Sequence, residues 1–220
     1  KNPLKEISEA TDRRLFALYE AIRAGKSVDY LHKRSYIDKW FLGHMSAIYA
    51  METELTKVPL GKGILREAKQ YGFSDKTIAT LRGTTENDIR RLRIKHGILP
   101  VIKQIDTLAG EYDATTNYLY MTYFGDINDV TSLGKTSAVV IGSGPYAIGS
   151  SVEFDWGAVV AAKTLQDNGR KTIIINSNPE TVSTDFDRSD RLYFEPLTLE
   201  DVLEIVDKEK PEGVIVQYGG

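Results

Sequence analysis

The sequence predicts an α + α/β chain, with an all-α helical domain over residues 1–130 and a small parallel α/β subdomain over residues 131–220. Three observations carry that prediction. To about Tyr123 the apolar residues recur at helical spacing; a polar, glycine-containing stretch then runs from Asp126 to Lys135; beyond it, apolar runs too short for helices alternate with helical patterns. With 220 residues, 41% of them hydrophobic, the chain has material for two modest cores.

In the first domain Leu15, Leu18, Tyr19 and Ile22 mark one amphipathic helix, and Ile37, Trp40, Phe41, Met45 and Ile48 a second. Ser35 followed by Asp38 fits a capping box at the start of the second, each side chain bonding a backbone N–H that the first turn leaves free. Shorter helices are expected around Gly63–Tyr71, Asp75–Leu81, Thr85–Lys95 and Pro100–Leu108, separated by glycine-bearing turns. Taken singly, Trp40, Phe41, Tyr118 and Tyr120 are expected to be ordinary core.

In the second domain Ser137–Ile141, Thr172–Ile175 and Gly213–Val216 read as buried strands. Phe154–Asn168, ending at Gly169, reads as the helix between the first two. Leu199–Lys208, opened by Thr198 with Asp201 as a capping box and closed before Pro211, reads as the next. Strand, helix, strand, helix, strand implies parallel strands with right-handed crossovers and ligands at their C-terminal ends. Function is therefore expected after Ile141, after Ile175 and after Gln217. The last residues, Tyr218-Gly219-Gly220, stand where a third such loop would begin, so the sequence reads as a piece of a longer protein.

The loop Gly142-Ser143-Gly144-Pro145-Tyr146-Ala147 formally meets the dinucleotide fingerprint. It departs from that fold in two ways. Gly149, Ser150 and Ser151 continue the loop where a helix should have begun, and the second strand ends in Asn176 rather than in the acidic residue that holds a ribose hydroxyl. The alternative is that Gly142, Gly144 and Gly149 only shape a turn. Against that, Glu153 and Asp155 lie at the helix start, and the loop Asn176-Ser177-Asn178-Pro179-Glu180-Thr181 brings another carboxylate to the same sheet edge. Gathered carboxylates are costly unless solvated, paired or used.

Composition excludes several classes. There is no cysteine, hence no disulfide framework or thiolate metal site. No apolar stretch approaches the roughly 20 residues that cross a bilayer, no secretory signal is evident, and a net charge of −3 gives no general attraction to nucleic acid or anionic lipid. A cytoplasmic protein binding neither membrane nor nucleic acid is expected. His32, His44 and His96 lack metal-like spacing, and no serine sits in a nucleophile elbow. One rival class survives: Phe73–Gly97 resembles a helix-turn-helix, with Arg90, Arg91, Arg93 and Lys95 on its second helix. Between Ser74 and Gly97, six Lys or Arg face three Asp or Glu, a local +3. The alternative function is thus a helix-turn-helix nucleic-acid-binding module fused to a nucleotide-binding α/β domain.

The string Val140–Trp156, VIGSGPYAIGSSVEFDW, is followed by Asn178–Asp187, Asp190–Glu195 and Gly213–Gly220. In that order and spacing these motifs resemble the carbamoyl phosphate synthetase large subunit, at the start of its carbamoyl phosphate synthetic half. The strings Tyr36–Leu42, Ile105–Thr107 and Glu111-Tyr112 resemble, more loosely, the helical oligomerisation domain of the same family. The resemblance makes the second domain a Rossmann-like pre-ATP-grasp subdomain, and it implies a parent ligase of arginine or pyrimidine biosynthesis. That enzyme would use bicarbonate, glutamine-derived ammonia and two ATP with Mg, admitting Mn or K. The ATP-grasp machinery would follow Gly220, so no catalytic residue, metal site or cofactor is expected in this chain. Implied partners are a glutaminase small subunit or domain, other large-subunit domains, and a second copy through residues 1–130. By the same resemblance Glu153 and Glu180 line the tunnel that carries carbamate, with Gly142, Gly144, Gly149, Asn178 and Pro179 shaping its loops. Asp155 and Asp185 are left as structural caps. In one departure, Ala147 stands where relatives commonly carry a basic residue, usually arginine.

Overall fold

A computed structural model describes residues 3–149 and 152–216. They fall into two compact units, 1–96 and 97–220.

The first unit is helical: α1 Pro3–Ser8, α2 Arg14–Arg23, α3 Val28–Ser35, α4 Lys39–Lys57, α5 Lys62–Gln70, α6 Asp75–Arg82 and α7 Glu86–Lys95. Ile7, Leu18, Ile22, Leu31 and Leu42 form one core, from α1 to the first half of α4. Met51, Leu55, Ala68, Phe73, Ile78 and Ile89 form another, where the second half of α4 meets α5 to α7. The capping box expected at Ser35 does not form. Ser35 ends α3, its Oγ donating to the Leu31 carbonyl at 2.8 Å, and Tyr36 takes a left-handed conformation. Asp38 is the N-cap of α4, accepting from the Trp40 N–H at 2.8 Å. A reciprocal box does form at Thr85 and Asp88, where hydrogen bonds, chiefly from Thr85, hold the Asp88 carboxyl below its ordinary range.

Inside the second helical core lies a charged group. Asp75 is fully buried; it accepts from Arg93 Nε at 3.1 Å and Nη2 at 2.9 Å, and from Lys69 Nζ at 3.2 Å. The fork of Arg93 meets a carboxylate geometrically matched to it. Arg93 is therefore not available to the rival helix-turn-helix reading, which counts it among the basic residues of its second helix.

The second unit holds a sheet of six strands among the described residues: β1 Val101–Gln104, β2 Tyr118–Thr122, β3 Ser137–Ile141, β4 Lys171–Ile175, β5 Arg191–Tyr193 and β6 Gly213–Ile215. Its order is β1-β2-β5-β4-β3-β6, parallel throughout except for the antiparallel β1–β2 pair. Helix α8, Val152–Asp167, connects β3 to β4, and α9, Leu199–Glu209, precedes β6. Residues alternate between faces as strand geometry requires. Val140, Ile174 and Leu192 pack with Ala158 and Ala162 of α8, while Val139, Ile173, Ile175 and Tyr193 pack with Ile205 of α9. Thr198 caps α9, accepting from the Asp201 N–H at 3.2 Å.

Three expectations are corrected. Pro100–Leu108 contains strand β1 rather than a helix, Tyr118–Thr122 is strand β2 inside the stretch expected to be all-α, and the compact division falls between residues 96 and 97, earlier than residue 130. The apolar positions 98, 101, 102, 105 and 108 mimic helical spacing, but β-branched Val101 and Ile102 pair with Thr122 and Met121. Beyond β1, Asn128 Oδ1 accepts from the Ile102 N–H at 2.8 Å and Asp129 Oδ2 from the Gln104 N–H at 3.0 Å.

Candidate functional site

The C-terminal ends of β3 and β4 are neighbours, since Ile141 pairs with Ile175. The loops after them therefore share one edge of the sheet, as the sequence predicts. The loop after β6 lies outside the described residues, as do Ser150 and Ser151.

Gly142 leaves β3 against the side chain of Asn176; a Cβ there would sit 2.7 Å from its Cγ and Nδ2, so no larger residue fits without displacing Asn176. Gly144 and Gly149 have φ of +74° and +87°, which glycine adopts without a Cβ penalty. Tyr146 reaches from this loop to the next, sharing a 2.8 Å hydrogen bond with Thr181. Ala147 and Ile148 are exposed.

The loop after β4 is built on buried polar side chains. Asn176 Oδ1 accepts from the Asn178 N–H at 3.2 Å, and Asn178 Oδ1 from the Glu180 N–H at 3.0 Å, two successive side-chain turns. Thr184 Oγ1 donates to the carbonyls of Asn178 and Thr181. Pro179 and Glu180 are exposed at the tip. Glu153 is exposed in the first turn of α8. Asp155, two residues on, is fully buried and accepts from the Ser183 N–H at 3.0 Å. Asp155 does cap, but it caps the 3-10 turn Val182–Thr184 across the edge rather than its own helix. Asp185 is exposed.

Sequence reasoning passed over Glu195, just beyond β5. Burial, with the nearby negative charge of Asp201, pushes its carboxyl up to about 7 against the lowering effect of the Met121 N–H bonded to it. It also passed over Glu209, buried at the end of α9, which accepts from Arg191 and Tyr193 at 2.5 Å and from the Leu133 N–H at 2.9 Å.

Among the described residues no three His, Asp or Glu gather as a metal site. The loops after β3 and β4 carry one basic residue, Arg188, which is paired with Asp187 at 3.2 Å. Among the described residues these loops offer no unpaired basic side chain. Among the described residues no helix is long and apolar enough to cross a membrane.

On the helical unit Leu15, Phe16, Trp40 and Phe41 are exposed, Phe16 by 68% and Trp40 by 64%, and Tyr120 of the second unit is 39% exposed. The core assignments of Trp40, Phe41 and Tyr120 are thereby corrected; Tyr118 is half-buried against Phe194. Exposed Leu15, Phe16 and Ile48 border half-buried Tyr19 and Met45 around a shallow apolar depression on α2 and α4.

Residues 1–97 match the family model of the carbamoyl-phosphate synthetase large chain oligomerisation domain, and residues 134–220 that of the carbamoyl phosphate synthase preATP-grasp domain. The carbamoyl phosphate synthase large chain of Thermoanaerobacter pseudethanolicus is 52% identical over 217 residues, covering 99% of this chain and 20% of the relative. That of Caldanaerobacter subterraneus subsp. tengcongensis is 50% identical over all 220 residues, again 20% of the relative. The human mitochondrial carbamoyl-phosphate synthase [ammonia] is 49% identical over 219 residues, 98% of this chain and 14% of the relative. The chain thus spans about one fifth of the length of its bacterial relatives. Two differently folded units, each matching a domain of one large chain in the same order, place this sequence in the carbamoyl phosphate synthetase large-chain family, as a segment carrying its oligomerisation and preATP-grasp domains.

Proposed function

We propose that this segment serves a glutamine-dependent, ATP-driven carbamoyl phosphate synthetase in two non-catalytic ways: it associates subunits, and it forms part of the wall along which carbamate travels. The observation that carries the second role is the shared strand-end edge, where Glu153 stands exposed in the first turn of α8 and Glu180 on the loop after β4. Carbamate decomposes quickly in water, so a walled path from its site of formation to its site of phosphorylation protects the yield. Carboxylates at that edge can order water and accept the N–H groups of a small polar intermediate. ATP with its metal ions binds elsewhere in the parent enzyme, so the isolated chain neither hydrolyses ATP nor makes carbamoyl phosphate. A glutaminase subunit or domain and a cytoplasmic location complete the reading.

Substituting Glu153→Ala in the full-length enzyme tests it. The two ATP-dependent partial reactions should persist while overall synthesis falls; unchanged overall synthesis refutes the role. Subunit association is supported by the apolar depression on α2 and α4 within the segment that matches the oligomerisation domain.

A further inference from the structure

We infer that Asp155 is a positioning residue that locks the loop bearing Glu180 to the helix turn bearing Glu153. The inference rests on the tunnel reading and adds the device that sets its geometry.

Asp155 is a carboxylate in an unfavourable place. It is fully buried, has no cationic partner among the described residues, and its Oδ1 is buried without a hydrogen bond there. A lone interior carboxylate is destabilising unless local groups offset it. Two do: the amide ends at the start of α8, whose first turns favour negative charge, and the Ser183 N–H aimed at Oδ2. The second joins residues 28 apart in sequence.

From that contact a continuous hydrogen-bonded path leads to Glu180. Ser183 Oγ accepts from Asn176 Nδ2 at 3.2 Å, Asn176 Oδ1 from the Asn178 N–H, and Asn178 Oδ1 from the Glu180 N–H. Glu153 sits two residues before Asp155 on the same helix turn. The carboxylate therefore connects the backbones of both exposed glutamates, and it does so from inside, out of reach of any solute in the crevice. Losing it removes a hydrogen bond that ties the Val182–Thr184 turn to α8 while leaving Glu153 and Glu180 chemically intact.

The test uses the full-length enzyme with Asp155→Ala, Asp155→Asn, Glu153→Ala and Glu180→Ala, reading both ATP-dependent partial reactions, overall synthesis, and amide hydrogen exchange over residues 178–185. Misplaced groups commonly cost roughly 10- to 100-fold in rate. Asp155→Ala should lower overall synthesis by about that factor, keep the partial reactions near the parent rate, and speed exchange in the segment. Asp155→Asn, which keeps an oxygen for the Ser183 N–H, should restore most of both; failure to restore them overturns the positioning role. If Asp155→Ala does not fold, Asp155→Leu, which fills the buried volume, carries the same comparison. Uncoupling by the glutamate variants with none by Asp155→Ala overturns the inference and leaves the tunnel reading standing. If neither glutamate variant uncouples, the tunnel reading fails and exchange decides the lock: unchanged exchange in Asp155→Ala overturns it, and faster exchange sustains it.

Discussion

Substituting Asp75→Asn removes one negative charge and almost no volume, so it isolates the electrostatics of the helical core. In the parent, the carboxylate of Asp75 stands within 3.2 Å of both Lys69 and Arg93, and all three residues are buried. The variant leaves two interior cations without this counter-charge. Breaking one partner out of a buried pair typically costs about 3–5 kcal/mol, against about 5–15 kcal/mol for the whole stability of a domain. The helical unit should thus lose about a fifth of its stability or more. Denaturant unfolding in a Trp156→Phe background, where Trp40 is the remaining one of the two tryptophans, reads that unit alone. A second arm separates charge from packing: Lys69→Met, Asp75→Leu and Arg93→Met together should restore stability to near the parent, since apolar groups of similar volume escape desolvation. A loss below about 1 kcal/mol for Asp75→Asn would refute the reasoning, because solvent or other groups would then be stabilising the cations without Asp75.

Three further outcomes are expected. Because the folded Glu195 carboxyl titrates near 7 rather than its ordinary 4.5, the stability it contributes is full below about 4.5 and lost as pH rises through about 7. Glu195→Gln keeps an acceptor for Met121 and should outstrip the parent by an extra ~2 kcal/mol at pH 8 relative to pH 5, measured by denaturation at each pH. Gly142→Ala sets a methyl against Asn176 and should cost about 1–3 kcal/mol, with faster amide exchange at Asn178 and Glu180; unchanged exchange would show that the loop accommodates the methyl. Phe16→Glu on the exposed face of α2 should weaken self-association by roughly 10-fold or more in sedimentation, with the helical content retained.

The sequence makes β3, β4 and their crossover helix legible because continuous runs such as Ala138–Ile141 and Thr172–Ile175 are too short for helices and are buried on both sides. It hides β1, β2 and β5. The first two fall in the stretch read as helical to about Tyr123, and β5 is three residues long, held between Tyr118–Leu119 of β2 and Ile173–Ile175 of β4. The strand-end loops were also legible, since their glycines and Asn178 have local reasons to be where they are. The Asp155–Ser183 contact was not, because a hydrogen bond between residues so far apart leaves no trace in local pattern. Arg93 shows the same gap: spacing puts four basic residues on one helix, and only tertiary packing decides that one of them points inward.

The antiparallel pair β1–β2 also decides where this protein can be cut. Strand β2 lies along β5, β1 lies along β2, and Asn128 and Asp129 occupy backbone donors of β1. A piece starting at residue 131 would discard this whole border and leave β5 with a bare row of amides and carbonyls, the template for intermolecular strand addition. A piece starting at residue 97 keeps the border. Of two truncations differing by about a third of a small domain, the longer should stay dispersed at concentrations where the shorter precipitates, and its advantage comes from strands that contribute no residue to the loops after β3 and β4.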